Sequence, residues 1–283
     1  MDGGSFMESG TVKVIENFPM KKLKRLRSLR IYLPPDYERN NSHYPVIYMH
    51  DGQNLFDVET SAYGHVWEIK KTLDSLYFEG KTKGIIVVGI DSDPRLRFLE
   101  YSPWNNENIQ EIVPNTELIN LSGGGGFSYL DFIIDELKPY IDKNFRTLRH
   151  REDTAMVGSS MGGFISLAAG VKYQHVFSKI AALSSASFFA EKELKLLIES
   201  IGKKLPMRIY MDVGTRETIN PEFSEFSKIY LKSNEEIYSA FKSSGFDYIK
   251  FKVIHGAIHN ETEWAKRFPE VIQWLFHKDY KVD

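Results

Sequence analysis

The sequence contains no cysteine, which excludes thiol catalysis, disulfide bonds and thiolate metal sites together. It has no apolar run approaching the roughly 18 residues of a membrane-spanning helix, and charged residues interrupt the start of the chain where a signal peptide would be apolar. The net charge is only −2, so no excess of one sign indicates a nucleic acid or an anionic membrane as partner. We expect a cytoplasmic protein whose partner is a small molecule.

The length and the apolar content are sufficient for one large folded domain. The chain has 283 residues, of which 42% are hydrophobic, and we find no internal repeat or linker. Residues 1–10 are rich in Gly and Ser, and we expect them to be disordered. We therefore predict a single domain over residues 11–283.

Buried strands alternate with amphipathic helices along most of the chain, which predicts an α/β fold with a mostly parallel central sheet and helices on both faces. Two strands come first, Thr11–Ile15 and Leu29–Leu33. The later predicted strands are Pro45–His50, Gly84–Ile90, the residues before Gly158, Lys179–Ser184, Pro206–Gly214 and Asp247–Ile254. The predicted helices are Val66–Leu76, Tyr129–Phe145, the residues from Phe164 onward, Glu191–Ile201, Pro221–Ser244 and Glu261–Phe276.

A basic segment, Lys21 to Arg30, precedes the parallel strands and could be taken for a nucleic-acid contact. We prefer a solvated hairpin whose charges protect the edge of the sheet from pairing with other chains.

The segment Gly158-Ser159-Ser160-Met161-Gly162 fits the G-x-S-x-G pattern of a nucleophile elbow. A sharp strand-to-helix turn needs small residues on both sides of the serine, because Cβ atoms would clash there. The letters alone also fit an ordinary glycine turn, but an apolar strand before them and a helix after them are the context that the motif requires. Ser160 has the central position and is the candidate nucleophile, at a helix N-terminus that favours negative charge.

A serine hydroxyl needs a base to remove its proton and an acid to orient that base. In α/β-hydrolases the chain order is Ser, then Asp or Glu, then His after the last strand. His259 fits this place better than His255, which we expect to be packed at the end of the strand. For the acid we choose Glu217, in the loop after the strand Pro206–Gly214, with Asp212 as the alternative, since spacing does not decide between them.

His255 and His259 also have the spacing of a zinc-binding helix. Gly256 between them and the missing glutamate of H-E-x-x-H argue against that interpretation. We expect neither a metal nor a cofactor.

The remaining candidates surround the serine. The backbone N–H groups of Met161 and Gln53 are expected to form an oxyanion hole. Asp51, beside Gln53, is expected to hold its loop in shape and to border the substrate. Residues 91–126 lose regular periodicity, and such a long excursion is either a substrate wall or a surface loop. The residues that we assign to substrate binding are Asp51, Trp67, Arg97, Tyr101 and Trp104.

Three motifs together resemble the "putative esterase" family of α/β-hydrolases: Tyr48 to Asp57 around Asp51-Gly52-Gln53, the elbow Gly158 to Gly163, and His259 to Trp264. The resemblance covers about residues 25–276. The family includes feruloyl and acetyl-xylan esterases, enterochelin esterases, S-formylglutathione hydrolases and mycolyltransferases. By similarity, Ser160 is the nucleophile, His259 the base and Gln53 an oxyanion donor. Many members have Asp where this chain has Glu217, and the mycolyltransferases have Glu.

The resemblance implies hydrolysis of a carboxylic ester through an acyl-enzyme. Sugar-linked acetyl or hydroxycinnamoyl esters and siderophore trilactones are both compatible with the sequence. Two other functions stay open: an acyltransferase, in which a bound alcohol replaces water, and a binding protein that keeps the fold without catalysis.

Overall fold

The computed structural model describes residues 8–112, 122–218 and 220–277. The predictions for residues 1–7, for part of the excursion at 113–121 and for the end of the chain at 278–283 lie outside the described residues. Gly10 is described, is buried, and donates its N–H to Asp74 Oδ1 at 2.9 Å, so the expected disorder does not extend to that residue.

The centre of the molecule is an eight-stranded sheet with the order β1-β2-β4-β3-β5-β6-β7-β8. β1 and β2 form an antiparallel hairpin, β2 pairs with β4 antiparallel, and all later pairs are parallel. The strands are β1 (Thr11–Met20), β2 (Arg25–Leu33), β3 (Val46–His50), β4 (Ile86–Ile90), β5 (Thr154–Ser159), β6 (Lys179–Leu183), β7 (Arg208–Arg216) and β8 (Ile249–Ile258).

Helices cover both faces of this sheet, which confirms the predicted fold class. The helices are α1 (Ile69–Phe78), α2 (Arg97–Tyr101), α3 (Ile109–Ile112), α4 (Gly126–Phe132), α5 (Lys138–Asn144), α6 (Met161–Lys172), α7 (Glu191–Ile201), α8 (Ser224–Ser243) and α9 (Glu261–Phe276). A π-helical turn, Ile133–Leu137, joins α4 to α5. In the described part of the chain, no helix is long and apolar enough to cross a bilayer.

The alternation of side chains along β3 shows how the two layers of core form. Val46 and Tyr48 point into a large cluster under α4 to α8, whereas Ile47 and Met49 point into a second cluster under α1 and α9. Successive residues of a strand face opposite sides of the sheet, so a strand that is apolar throughout must be covered by other elements on both faces. Both clusters hold the carboxyl ends of the parallel strands in place, where β3, β5, β7 and β8 meet the candidate site.

The basic segment forms the predicted hairpin, but its arginines are not solvated. Arg27 is only 6% exposed and its Nη2 lies 2.7 Å from Glu100 Oε1, which Arg25 Nη1 also contacts at 2.8 Å. Arg30 binds both carboxylate oxygens of Asp91. The segment therefore anchors the chain around α2 to the sheet, because each of its arginines has a buried or half-buried carboxylate as partner.

Candidate active site

The elbow between β5 and α6 places Ser160 in a backbone conformation that few residues adopt, with φ 55° and ψ −125°. A Cβ at Gly158 would lie 2.4 Å from the carbonyl of Gly162, and a Cβ at Gly162 would lie 3.1 Å from Cβ of His50. Gly158 therefore needs to be glycine, and a Cβ at Gly162 would require His50 to shift slightly, as expected for the small residues of the motif. Such a strained backbone persists only where the surrounding structure holds the residue in place, and strained residues of this kind are often found at functional sites.

Tyr230, on α8, lies beside Ser160, and no sequence motif indicated this residue. Burial raises the pKa of Tyr230 and so does Glu217, while a hydrogen bond with the Ser160 side chain lowers it; the net change is upward. The phenol therefore stays neutral and can donate or accept at Ser160. Its ring centroid is 5.1 Å from that of His259, so one side chain borders both the serine and the histidine.

His259 follows the last residue of β8, and Glu217 follows the last residue of β7. Because these two strands pair in parallel, with an irregularity between Gly214 and Arg216, their ends bring the two side chains together. Glu217 Oε2 lies 2.7 Å from His259 Nδ1, and Glu217 Oε1 accepts the N–H of Gly214 at 2.5 Å. Burial raises the pKa of Glu217, but hydrogen bonds from His259, Ser184 and Gly214 outweigh it and the net pKa is lowered.

Asp212, the alternative acid, lies elsewhere. Its side chain is fully buried and bound by Arg267 of α9, with Nε 2.8 Å from Oδ2 and Nη2 3.0 Å from Oδ1. Tyr210 donates its hydroxyl to Asp212 Oδ2 at 3.1 Å. Burial raises the pKa of Asp212 to about 6, even with Arg267 beside it. The geometry therefore pairs His259 with Glu217 and gives Asp212 a different partner.

The loop after β3 forms the opposite side of the site. Asp51 has a left-handed backbone, φ 54°, and its carboxylate binds Arg97 through two hydrogen bonds of 2.9 and 2.8 Å. Burial raises the pKa of Asp51. The interactions with Arg97 and its other neighbours lower this pKa by more, so the net pKa is below its usual value. The Gln53 side chain exchanges two hydrogen bonds with Ser92, which fixes the backbone of the loop beside the elbow.

Met161 is the first residue of α6. An N–H group in the first turn of a helix has no acceptor within the helix and can bind an external anion.

A cavity of about 590 Å³ opens between these elements. It brings together Ser160, His259 and Glu217 with Gln53 and with three of the expected substrate-binding residues, Asp51, Trp67 and Arg97. Its other walls include Asn54, Tyr63, His65, Phe98, Glu261 and Trp264.

Tyr101 and Trp104 do not line this cavity, so the expectation that they contact substrate directly is corrected. Tyr101 is fully buried, and its hydroxyl accepts the N–H of Asp51 at 2.9 Å, behind the loop. Trp104 packs against Phe127 and Phe164. Both residues support the wall from behind, because Tyr101 lies under Asp51 and Trp104 packs on aromatic side chains of α4 and α6.

His255 was expected to be packed, but it is exposed, since β8 continues past it to Ile258. Gly256 has φ 77° and donates its N–H to Thr215 Oγ1 at 2.8 Å, which carries the strand on to His259. Within residues 8–112, 122–218 and 220–277, no group of three His, Asp or Glu side chains is placed to hold a metal ion.

A family model described as "Putative esterase" matches residues 20–275. The chain belongs to this family. An uncharacterized protein of Bacillus subtilis, YbbA, is 27% identical over 255 residues, which is 89% of this chain and 94% of that protein. An endo-1,4-beta-xylanase/feruloyl esterase of Xylanibacter ruminicola is 26% identical over 259 residues; the match covers 89% of this chain but only 30% of that protein.

Among solved structures, the siderophore hydrolase EstA of Aspergillus nidulans superposes with a TM-score of 0.71 at 16% identity, covering 98% of each chain. At this identity the likeness shows the fold alone. Together with the family, it identifies the chain as an α/β-hydrolase that hydrolyses carboxylic esters.

Proposed function

We propose that the chain is a serine esterase in which Ser160 attacks the ester, His259 acts as general base and Glu217 orients His259. The observation that carries this proposal is the 2.7 Å contact between Glu217 Oε2 and His259 Nδ1 at the cavity that Ser160 also borders. A carboxylate that accepts the Nδ1 proton leaves Nε2 as the basic nitrogen of the ring. Glu217 is buried and also accepts the N–H of Gly214, so it is held in place to stabilise the imidazolium that forms.

In the first step His259 takes the proton of Ser160 as the serine oxygen bonds to the acyl carbon. The tetrahedral intermediate then collapses, and His259 returns the proton to the leaving alcohol. Water attacks the acyl-enzyme in the same way and releases the acid. The oxyanion of each intermediate is expected to bind the N–H groups of Met161 and Gln53, each worth about 2.7–4 kcal/mol by the loss seen when such a donor is removed.

We further propose that the substrate is an uncharged ester, of the hydroxycinnamoyl or acetyl-sugar type. Among the described residues that line the cavity, Arg97 is the guanidinium, and it is bound to Asp51. Glu217 and Glu261 add two more carboxyl groups. A polyanionic ferric catecholate would bring further negative charge to these groups without a free cation to bind it. An uncharged ester avoids that cost, and Tyr63, 74% exposed, offers an aromatic face beside polar amides.

The nucleophile is tested by fluorophosphonate labelling and by hydrolysis of p-nitrophenyl acetate in the wild type, Ser160→Ala and His259→Ala. We expect Ser160→Ala to abolish labelling and His259→Ala to reduce both labelling and hydrolysis by several orders of magnitude. Ser159→Ala is the matched control, since Ser159 occupies the neighbouring position. Labelling that persists in Ser160→Ala would show that another residue is the nucleophile.

The substrate class is tested by comparing kcat/KM for feruloyl and acetyl-sugar esters with that for a trilactone, offered free and as its ferric complex. We expect the uncharged esters to be preferred. A preference for the ferric complex would contradict the charge argument while leaving the nucleophile unaffected. Acceptor alcohols added to the same assays reveal transfer, because an acyltransferase would yield a new ester in place of the free acid.

A further inference from the structure

Ser92 is a residue after β4 that no motif includes, and three hydrogen bonds join it to the loop after β3. Its Oγ donates to Asp51 Oδ1 at 2.7 Å and accepts a hydrogen bond from Gln53 Nε2 at 2.8 Å. Its backbone N–H donates to Gln53 Oε1 at 2.9 Å. A serine hydroxyl has one proton, and Asp51 accepts it, so Ser92 has no proton to offer a substrate although it borders the cavity. The contacts of Ser92 therefore hold the loop.

The two residues that this serine binds lie on either side of Gly52, in the loop that is expected to supply the Gln53 N–H to the oxyanion. The Gln53 amide cannot turn without losing two hydrogen bonds to the same residue. The Asp51 carboxylate is held from two sides, because Arg97 binds it as well. This loop lies against the first turn of α6, since a Cβ at Gly162 would be 3.6 Å from Asp51 Oδ2. A shift of the loop would therefore change its distance from the elbow.

The end of β4 is a fixed point from which Ser92 can hold this loop. Asp91, the preceding residue, is bound through both carboxylate oxygens by Arg30 of β2, at 2.8 and 2.9 Å. A Cβ at Gly52 would lie 2.7 Å from Asp91 Oδ1 and 2.8 Å from the backbone of Gly89. The loop thus packs on the end of β4 more closely than a residue with a side chain would allow, and Ser92 bonds it there.

We propose that Ser92 is a positioning residue that holds the Gln53 N–H in place for the oxyanion of the tetrahedral intermediate, acting through the Asp51 and Gln53 side chains. This inference rests on the proposed function, in which that N–H is one of two oxyanion donors. A donor stabilises the developing charge most when it is in place before the reaction, because no free energy is then spent on moving it. Hydrogen bonds that prevent the loop from moving therefore lower the barrier without contacting the substrate.

Ser92→Ala is the test, because it removes two of the three hydrogen bonds and leaves the Gln53 N–H itself intact. We expect kcat for p-nitrophenyl acetate to fall about 10- to 100-fold with KM little changed, since a misplaced donor costs less than the roughly 100- to 1,000-fold loss of a whole one.

The readout specific to the oxyanion is the ratio of kcat/KM for p-nitrophenyl acetate to that for its thiono analogue, which has sulfur in place of the carbonyl oxygen. Sulfur is larger and a weaker hydrogen-bond acceptor, so N–H groups placed for oxygen stabilise its anion less. We expect this ratio to fall about 10-fold in Ser92→Ala. Ser92→Thr keeps the hydroxyl and should restore both kcat and the ratio.

A second variant approaches the same contact from the loop. Gln53→Met keeps the backbone N–H but loses both side-chain bonds to Ser92, so it should lower the ratio as well. Because Ser92→Ala and Gln53→Met break one shared contact, the double variant should lose less than the product of the two single losses. Losses that multiply would mean that the two residues act separately.

Thr147→Val is the matched control, since Thr147 Oγ1 also donates to a carboxylate at 2.7 Å, that of Asp142, before the amino ends of β3 and β5. It should leave the ratio unchanged even if thermal stability falls. If the ratio in Ser92→Ala stays at the wild-type value, or falls equally in Thr147→Val, Ser92 does not position the oxyanion donor. These results are distinct from failure of the proposed function, in which Ser160→Ala would still be labelled.

Discussion

Glu217 and His259 are 42 residues apart in the chain, yet Oε2 and Nδ1 of the two side chains are 2.7 Å apart. The parallel pairing of β7 with β8 produces this contact, because each residue comes directly after the end of its strand. Asp212 lies inside β7 and points to Arg267 on α9. Glu217, which contacts the histidine, is only five positions along the chain from Asp212, which contacts Arg267 instead.

The first prediction compares Glu217→Gln with Asp212→Asn. Glu217→Gln should lower kcat by about 1,000- to 10,000-fold, because the amide cannot stabilise the imidazolium or select its tautomer. Asp212→Asn leaves the Arg267 guanidinium without its carboxylate and should mainly destabilise the fold, by about 3–5 kcal/mol. Steady-state kinetics and chemical denaturation of both variants measure the two effects. A larger loss of kcat in Asp212→Asn would reverse the assignment.

The second prediction concerns the buried pair of Arg27 and Glu100, whose side chains are 5% and 1% exposed. Glu100→Gln should lower the free energy of unfolding by about 3–5 kcal/mol, because it leaves a buried guanidinium without its charge partner. Arg97 lies on the same short helix, so the pairing of Arg97 with Asp51 should also weaken. Denaturant unfolding measures the loss; Glu107→Gln, at an exposed site, is the control. Equal stability of the two variants would contradict the prediction.

These ion pairs mark the limit of what could be predicted from the sequence. The hydrophobic patterns predicted the α/β fold, the bounds of α7 and α9, and the ends of β3 and β4, because each is a local property. The ends of β7 and β8 were placed two and four residues too early, at Gly214 and Ile254. Arg27 and Glu100 are 73 residues apart, and nothing local distinguishes their charges from those of a solvated hairpin.

The residues of the candidate site also fall into two groups, those that local sequence patterns indicated and those that depend on packing between distant elements. The elbow motif and the chain order indicated Ser160, His259 and Glu217 because a strand end is visible in the sequence. Tyr230 was missed, since its place depends on how α8 packs on the sheet. Tyr101 looked like a wall residue, but the backbone of the excursion turns its ring under Asp51.

The third prediction concerns pH and stability. Burial lowers the pKa of His50 from 6.5 to about 3. Between these values the unfolded chain binds a proton that the folded protein does not, so stability rises with pH there and is lost as the pH falls. His50→Gln should reduce this slope by up to about 1.4 kcal/mol per pH unit.

The measurement is the free energy of unfolding of both proteins as a function of pH. Asp212, whose pKa is raised, contributes with the opposite sign between 3.8 and about 6, and this contribution cancels because both proteins contain it. Identical slopes in the two proteins would show that His50 can be protonated in the folded state.

The fourth prediction concerns the hydroxyl of Tyr230. Tyr230→Phe keeps the ring, which packs against Phe188, Phe226 and His259 with centroids 4.9, 5.2 and 5.1 Å away. It removes the hydroxyl, whose pKa the Ser160 side chain lowers. We expect kcat/KM and the rate of fluorophosphonate labelling to fall about 2- to 10-fold, the size of one neutral hydrogen bond, with thermal stability nearly unchanged.

Tyr238→Phe, on the same helix and stacked on Phe251, is the control that should leave labelling unchanged. The comparison is informative because both variants lose the same atom from the same helix, and only Tyr230 meets the nucleophile. A Tyr230→Phe protein that is labelled faster than the wild type would mean that the phenol restrains Ser160 before substrate binds. Equal rates in all three proteins would mean that the serine takes its orientation from the elbow and His259 alone.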